Sequence, residues 1–262
     1  MKNVLEKISS KSINYYIEQN LDDFYIKSST HPNFTSHLEN KIKWVISNYA
    51  DWPDAIFRTN FENLNVNDEI NEVKQHINKG IAPNGWTIGP LTKPKNLGNI
   101  LEKNGFSNVY HQAGMAIDLK VLKNKISNEG WFEVEKIDDK KSLKQWIEVV
   151  SSVFGIRVDF ELIDYLISEP KAEFYIGSFK GTPVSSLMLY LSSGVAGLHA
   201  VSTLSEYRNR GFGLAISIKA LKNAFKMGYK VGVLQASALG ERVYKKLGFK
   251  KYCDIISYEL IE

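Results

Sequence analysis

Short apolar runs alternate along the chain with segments in which apolar residues recur every three or four positions, and the pattern is clearest over residues 198–249. Residues 198–203 and 231–236 are short apolar runs, which predict two buried strands. Between them, one helical face carries Leu214, Ile218, Leu221 and Phe225. This spacing predicts a helix that opens at Gly211 and stops at Gly228. A strand, a crossover helix and a second strand in this order predict a parallel pair.

The residues before this pair predict further helices and strands. Asp139 stands where it can cap a helix running to about residue 154, and residues 159–168 form a second helix candidate. Residues 173–179 and 184–191 are apolar runs joined through the turn residues 180–183, a pattern typical of a hairpin. Two helices, a strand meander and a parallel pair together predict a mixed α/β fold with helices flanking the sheet.

The first half is less regular but contains an internal echo. The pattern predicts helices at 4–20 and 68–79, with short strands at 41–47 and 55–59, and residues 85–90 are too rich in Gly and Pro for a helix. Residues 97–106 (LGNILEKNGF) resemble residues 239–249 (LGERVYKKLGF), and strand-like runs follow at 108–119 and 251–260. A repeat about 140 residues apart predicts two copies of one fold.

Composition narrows the class of protein. The 262 residues are 44% hydrophobic and 24% charged, which is typical of a globular chain, and a net charge of +4 does not indicate a nucleic-acid partner. The single cysteine, Cys253, excludes an internal disulfide, and the five histidines show no paired metal-ligand spacing. No segment reaches the roughly 20 apolar residues of a membrane span. We expect a soluble, cytoplasmic protein without a metal or a membrane partner.

The joint between the first strand of the parallel pair and its helix is the segment RNRGFG, residues 208–213. Two glycines at a helix start permit a tight turn and leave N–H groups free, so the turn can bind an anion such as phosphate. A phosphate loop of the Walker type requires a Lys where Leu214 stands, and a dinucleotide fingerprint requires a small residue where Ile216 stands. The alternative interpretation is a tight turn that binds no ligand.

Four features follow one another along this part of the sequence. They are an apolar strand, the turn Arg-x-x-Gly-x-Gly opening a helix, a strand ending Gln-Ala-Ser at 235–237, and then Tyr244 with Leu-Gly-Phe at 247–249. Over residues 200–249 this order resembles the GNAT acetyltransferases. The resemblance implies two tandem GNAT-like folds with a mixed, mostly antiparallel sheet, and a parallel pair that splays apart in the C-terminal copy. It also implies that acetyl-coenzyme A (acetyl-CoA) is the co-substrate.

The resemblance also assigns roles to residues. Tyr244 is implied as the catalytic acid that faces the sulfur, and a protonated phenol suits that role at neutral pH. The pantetheine arm is expected to pair with the strand edge, and the pyrophosphate with the turn. The implied cofactor-binding residues are Val201, Ser202, Thr203, Arg208, Asn209, Arg210, Gly211, Phe212, Gly213 and Ser237.

The resemblance places a degenerate GNAT-like domain at residues 1–124 and the catalytic domain at 125–262, with a polar linker at 120–130. When the Gly-Phe ends of the echo are aligned, Leu101 stands opposite Tyr244, and the first half has no Arg-x-x-Gly-x-Gly segment. We therefore expect the first half to bind no cofactor and to shape the substrate cleft or stabilise the catalytic half.

The general base stays unassigned. His199, Glu173 and Asp159 are candidates by location, and for His199 a proton relay and a purely structural role both stand open. We expect direct transfer of an acetyl group to a primary amine of a small molecule or peptide. The alternatives are a non-catalytic acyl-CoA-binding or interaction module and a nucleotide-binding protein. The sequence predicts neither the acceptor nor the oligomeric state.

Overall fold

The computed structural model describes residues 4–122 and 132–261 and contains one continuous mixed sheet. The strands of the first half are β1 Phe34–Leu38, β2 Lys43–Ser47, β3 Ala55–Phe57, β4 Gly85–Ile88 and β5 Phe106–Asp118. Those of the second half are β6 Phe132–Lys136, β7 Ala172–Phe179, β8 Thr182–Ser192, β9 Val195–Thr203, β10 Val231–Ala236 and β11 Lys250–Leu260. The helices are α1 Ile13–Ser28, α2 Val66–Asn78, α3 Leu97–Lys103, α4 Lys140–Phe154, α5 Phe160–Ile167, α6 Phe212–Lys226 and α7 Ala238–Leu247.

The strand order across the sheet is β1-β2-β3-β4-β11-β5-β10-β9-β8-β7-β6. Only β3 with β4 and β9 with β10 pair in parallel among these neighbours, and each of these two pairs is joined by a crossover helix, α2 or α6. The mixed, mostly antiparallel sheet flanked by helices is confirmed, and so is the parallel pair of the second half.

The two halves exchange their last strands. β5, from the first half, pairs with β10 of the second, whereas β11, from the second half, pairs with β4 of the first. β5 and β11 pair with each other in a reciprocal register: Lys250 faces Ala116 just as Glu259 faces Ser107. Each residue of one pair corresponds to a residue of the other pair 143 positions away in the sequence. Phe106 and Phe249, which the sequence echo aligns, are separated by the same 143 positions. The echo is therefore a structural repeat with an approximate twofold axis between Ile255 and Gln112.

Helices cover both faces of the second half. Leu187, Leu189 and Leu191 of β8 pack in one buried cluster with α6 and α7. Their neighbours Met188 and Tyr190 pack in another cluster with α4, α5 and residues of α1. Successive residues of a strand point to opposite faces, so α6 and α7 lie on one face of the sheet, and α4, α5 and α1 on the other.

Local sequence explains the ends of two helices on the second of these faces. The Asp139 carboxylate accepts from Lys141 N at 2.8 Å and from Ser142 N at 3.0 Å, so the predicted cap of α4 is confirmed. α4 ends at Gly155, whose φ of +67° favours glycine. Asp159 caps α5 by accepting from Glu161 N at 2.9 Å.

Three predictions for the first half were wrong or incomplete. The first helix begins at Ile13, not at residue 4, and it continues to Ser28. Its buried face includes the polar residues Asn20 and Asp22, so the apolar pattern did not predict this continuation. Residues 85–88, which carried no assignment, form β4, and β1 was missed. The predicted linker at 120–130 and the proposed domain boundary between residues 124 and 125 fall largely or wholly outside the described residues.

The exchanged strands meet closely at Gly114 of β5, which faces Cys253 of β11. A Cβ at Gly114 would overlap Cys253 Sγ and lie 3.1 Å from Ile17 Cγ2. We expect Gly114→Ala to lower the free energy of unfolding by about 1–3 kcal/mol, and by less when Cys253→Ala is also present. Urea unfolding of both single variants and the double variant measures this coupling.

The matched control is Gly85→Ala in β4, since a Cβ at Gly85 meets nothing within 4 Å. It should change the free energy of unfolding by less than the Gly114 variant does. Strictly additive effects of Gly114→Ala and Cys253→Ala would contradict the contact between the exchanged strands.

Candidate active site

The two parallel strands of the second half separate at Leu198. Their register pairs Ala196, Gly197 and Leu198 of β9 with residues 232–234 of β10, and the pairing ends there. β9 continues to Thr203 while still paired with β8 on its other side. The edge of β9 that faces β10 is therefore open over residues 199–203, as the predicted splayed pair requires.

A local distortion accompanies this opening. Ala200 has a φ of +49°, and the register between β8 and β9 shifts between Ser186 and Met188. The Ser202 hydroxyl bonds Ser186 Oγ at 2.6 Å, and the Thr203 hydroxyl bonds Ser185 Oγ at 2.9 Å. Because these hydroxyls are engaged with β8, Val201, Ser202 and Thr203 offer mainly their backbone groups to a ligand in the opening.

The glycine turn, residues 208–213, follows directly after a short 3-10 turn at Ser205–Tyr207. Asn209 and Gly211 have φ values of +64° and +80°, and α6 begins at Phe212. Arg208 N donates to Ser205 O at 3.3 Å and Ala215 N donates to Gly211 O at 2.9 Å. In the described chain, no protein acceptor pairs with the N–H groups of residues 209–213. These donors at the N-terminus of a fifteen-residue helix form an anion-binding turn.

The side chains of this turn hold its shape. Arg208 Nε donates to Thr203 O at 3.1 Å, and the Arg210 guanidinium lies over the rings of Phe179 and Tyr207 at 5.5 and 5.6 Å. Phe212 is buried and stacks on Phe132 at 4.2 Å between ring centroids. The turn is thus anchored by Phe212 in the core and keeps its backbone donors outward.

The structure also shows room for a ligand at the turn. A Cβ at Gly211 meets nothing within 4 Å, whereas one at Gly213 would lie 3.5 Å from Thr203 Oγ1. Gly213 therefore lets the start of α6 approach the end of β9, and Gly211 faces open space. A pyrophosphate group fits this combination of open space, free N–H donors and two arginines.

Tyr244 lies on α7, on the α6 side of the sheet. Its side chain is buried, its ring contacts Phe249 at 5.5 Å, and its hydroxyl is hydrogen-bonded to Ser217 of α6. Burial raises the pKa of Tyr244 to about 12, against a smaller lowering by the Ser217 hydrogen bond. Ser217 in turn donates to Gly213 O at 2.7 Å, which links the phenol to the glycine turn. At neutral pH the phenol is a proton donor.

Ser237 ends the second strand and caps α7, since its hydroxyl accepts from Gly240 N at 3.2 Å. The structure therefore gives Ser237 a role in starting the helix that carries Tyr244. This position at the C-terminal end of β10 is compatible with the expected cofactor contact, which stays a prediction.

Two of the base candidates are engaged elsewhere. Glu173 accepts from Lys136, Tyr175 and Asn223, each at 2.7 Å. Burial raises its pKa, but these hydrogen bonds outweigh burial and the pKa of Glu173 is lowered. Asp159 caps α5 and accepts from Asn33 Nδ2 at 2.7 Å. Neither carboxylate lies in the opening of β9 and β10.

His199 is the first residue of the open part of β9. It is buried, and its Nε2 lies 2.8 Å from Asn20 Oδ1 of α1. Burial lowers the pKa of His199 to about 4. Sequence reasoning considered His199 but missed Asn20 and Ser217, because a polar residue on a helix gives no sign of the group it will face.

The first half has the same opening but fills it. Arg58 lies two residues beyond the Ile56–Trp86 pair of β3 and β4 and has a φ of +50°. Ala200 lies two residues beyond Leu198, the last residue of β9 that pairs with β10, and its φ is also positive. Lys93 N donates to Thr59 O and Phe61 N donates to Lys93 O, each at 3.0 Å. The chain itself thus pairs with the edge that is free in β9. Leu101, opposite Tyr244, is fully buried. The strand edge of the first half is therefore occupied by the chain, and the expectation that this half binds no cofactor stays a prediction.

No group of three or more His, Cys, Asp or Glu side chains within residues 4–122 and 132–261 is arranged to hold a metal ion. No helix of this part of the chain has the length and apolar character needed to cross a bilayer.

Comparisons with known proteins agree with this geometry. The sequence model of the family described as "Acetyltransferase (GNAT) family" matches residues 140–249. No curated protein matches the sequence. Among solved structures, a GCN5-related N-acetyltransferase from Kribbella flavida is similar with a TM-score of 0.73 at 12% identity, over 95% of this chain and 96% of that one.

Two other solved structures resemble the whole chain. A GCN5-related N-acetyltransferase from Sphaerobacter thermophilus has a TM-score of 0.63 at 13% identity, covering 97% of this chain and 95% of that one. A putative GNAT-family acetyltransferase from Novosphingobium aromaticivorans has a TM-score of 0.56 at 12% identity, covering 93% and 99%. At such identities these likenesses show the fold.

The open strand pair, the glycine turn and the family match together identify residues 140–249 as a GNAT acetyltransferase domain.

Proposed function

We propose that the chain transfers the acetyl group of acetyl-CoA directly to a primary amine, with the chemistry confined to the second half. The observation that carries this proposal is the run of unpaired backbone N–H groups at residues 209–213, placed at the end of the open edge of β9. An open strand edge leading into an anion-binding turn matches a ligand with an amide-bearing arm and a pyrophosphate. GNAT proteins usually use acetyl-CoA, which has both.

The residues divide the binding task. Backbone groups of Val201, Ser202 and Thr203 bind the pantetheine arm, and the N–H groups of the glycine turn bind the pyrophosphate. Arg208 and Arg210 add positive charge beside it. Ser237 starts α7 at the far side of the opening and thereby places Tyr244.

The same groups serve the reaction. When bound, acetyl-CoA supplies the thioester carbonyl that a neutral amine can attack. Tyr244 donates a proton to the sulfur as the carbon–sulfur bond breaks, and its raised pKa keeps the phenol protonated beforehand. Backbone N–H groups at the opening stabilise the negative charge that develops on the carbonyl oxygen.

The acceptor is a small molecule or a peptide amine. The side of the opening opposite Tyr244 is bounded by α1 of the first half, since Asn20 and Phe24 contact β8 and β9. The first half therefore contributes to the acceptor side of the site. We place the protein in the cytoplasm, in keeping with its single cysteine, and we propose neither a nucleic-acid nor a membrane partner.

The test is calorimetric titration with acetyl-CoA followed by an assay of amine-dependent thiol release with a panel of primary amines. We expect acetyl-CoA to bind, CoA and acetyl-CoA to compete, and at least one amine to accelerate thiol release. Binding without acceleration by any amine would favour the acyl-CoA-binding module instead. Absence of binding would overturn both, and preferential binding of ATP or NAD would favour a nucleotide-binding protein.

A further inference from the structure

His199 occupies the point at which β9 leaves β10. The last parallel pair joins Leu198 to Leu234, so His199 is the next residue along the open strand. Leu198 packs with Tyr244 in the cluster beneath α6 and α7. Because side chains alternate along a strand, His199 faces the opposite side of the sheet, where its ring stacks on Phe24 of α1 at 5.7 Å. His199 and Tyr244 thus flank one opening from its two faces.

Asn20 of α1 fixes the proton on the histidine ring. Asn20 Nδ2 donates to Tyr190 O at 3.1 Å and to Ser192 Oγ at 2.8 Å. A carbonyl oxygen only accepts, so the amide nitrogen must face Tyr190 and the amide oxygen must face His199. This oxygen, 2.8 Å from His199 Nε2, can only accept, so Nε2 carries the proton. The lone pair of the neutral ring is therefore on Nδ1.

That lone pair has no partner in the protein. Within the described residues His199 Nδ1 makes no hydrogen bond, since the bond of this ring is that of Nε2 with Asn20. The residue is 7% exposed, so a small part of its surface is not covered by the protein. The ring nitrogen that can accept a proton is therefore the one that no protein group occupies.

The sequence keeps a space for this arrangement. A Cβ at Gly197, two residues before His199 on the same face, would overlap Asn20 Oδ1 and lie 2.8 Å from His199 Nε2. Asn20 is itself fully buried on a helix of the other half. Burying a polar side chain costs free energy unless its hydrogen bonds are made. Asn20 makes three hydrogen bonds, and Gly197 leaves the space that its amide needs. This arrangement indicates that the orientation of the Asn20 amide matters.

We propose that His199 Nδ1 receives the proton that the acceptor amine loses as its nitrogen bonds to the acetyl carbon, and that Asn20 is the residue that positions it. The inference rests on the proposed function. The carbon–nitrogen bond forms as the carbon–sulfur bond breaks, and one amine proton passes to Nδ1 while Tyr244 gives its proton to the sulfur. Exchange with solvent then restores the neutral imidazole and the phenol.

The surroundings of His199 keep the ring neutral beforehand. Its lowered pKa comes from burial alone. Tyr190 of β8 is the titratable side chain in ring contact with His199, and the two ring centroids lie 6.4 Å apart. A neutral ring accepts the proton of a positively charged tetrahedral adduct readily, whereas it does not deprotonate a free ammonium group. The acceptor therefore binds as the neutral amine.

The first experiment is nitrogen NMR of the full chain labelled with ¹⁵N-histidine, with His199→Gln identifying the signal. We expect His199 to be neutral at pH 6 with its proton on Nε2. A charged ring at that pH, or a proton on Nδ1, would overturn the inference regardless of any activity.

The second experiment compares His199→Gln with the parent in acetyl-CoA-dependent thiol release, using ethanolamine, hydroxylamine and the best amine of the panel. Glutamine keeps a donor for Asn20 but has no basic atom. We expect kcat to fall by about 10- to 100-fold with little change in acetyl-CoA affinity. The fall should be smaller for hydroxylamine, whose adduct loses its proton more readily, and a purely structural defect would affect all acceptors equally.

His111→Gln is the control, since His111 is exposed and pairs with Asp254 at 2.6 Å. It should match the parent. If the parent transfers acetyl groups and His199→Gln does so equally well, the inference fails while the proposed function stands. If the parent releases no thiol with any amine, the proposed function fails and the inference fails with it.

Discussion

Replacing Tyr244 by phenylalanine should lower kcat by about 10²- to 10⁴-fold, the range that a positioned acid contributes. The ring would keep its contact with Phe249, and Ser217 would keep its bond to Gly213 O, so only the proton donor is lost. The dissociation constant for acetyl-CoA should change little, because the glycine turn and the edge of β9 are untouched. The expected result is therefore a change in kcat without a matching change in affinity.

Steady-state thiol release and calorimetry on the same preparation measure the two quantities. Tyr229→Phe is the matched control: Tyr229 is 6% exposed against 8% for Tyr244 and belongs to the same buried cluster, but it precedes β10 at the opposite end of that strand. It should retain the parent's kcat. Equal turnover of Tyr244→Phe and the parent would remove Tyr244 from the mechanism, and a parallel loss of affinity would make it a binding residue.

Sequence reasoning was most accurate where one physical signal dominates. The apolar runs and the glycine turn of residues 198–249 gave the order strand, helix, strand, helix, and each element is present within a few residues of its predicted bounds. Asp139 was identified as a helix cap because a capping carboxylate acts on the N–H groups directly after it. Such signals are local and do not depend on the rest of the fold.

The same reasoning did not predict the exchange of β5 and β11. The echo of residues 97–106 and 239–249 indicated two copies, but the apolar residues that follow each copy are equally compatible with pairing inside their own half. Which strand becomes the neighbour of β10 is decided by long-range pairing, such as that of Gly114 with Gln235. Periodicity contains no information about such contacts.

The contacts of α1 beside the opening were missed for a related reason. α1 buries Glu18, Asn20 and Asp22, so its buried face does not look apolar and its end was placed at residue 20 instead of Ser28. Glu18 accepts from Leu91 N at 2.7 Å and Asp22 from Arg58 Nε at 2.5 Å, while Asn20 contacts the second half. A helix that connects two halves through polar contacts resembles a surface helix in sequence.

Substituting aspartate for Gly211 should weaken acetyl-CoA binding by more than about 100-fold, because a carboxylate beside the free N–H groups repels a pyrophosphate and occupies its donors. Gly211→Asn provides the neutral comparison with nearly the same size. A side chain at Gly211 meets nothing within 4 Å, and both substitutions must adopt its φ of +80°. The steric and backbone costs are therefore shared, and the charge is the main difference between the two variants.

Calorimetry with acetyl-CoA on the parent and both variants separates these contributions. We expect Gly211→Asn to lose less than about 10-fold, since asparagine tolerates the left-handed region. Raising the salt concentration should narrow the gap between the variants, because screening weakens charge repulsion at an exposed site. Equal losses of acetyl-CoA affinity in both variants would mean that the turn is sensitive only to the volume of the added side chain. Parent-like binding by the aspartate variant would place the pyrophosphate elsewhere, and the free N–H groups of residues 209–213 would then no longer support the proposed function.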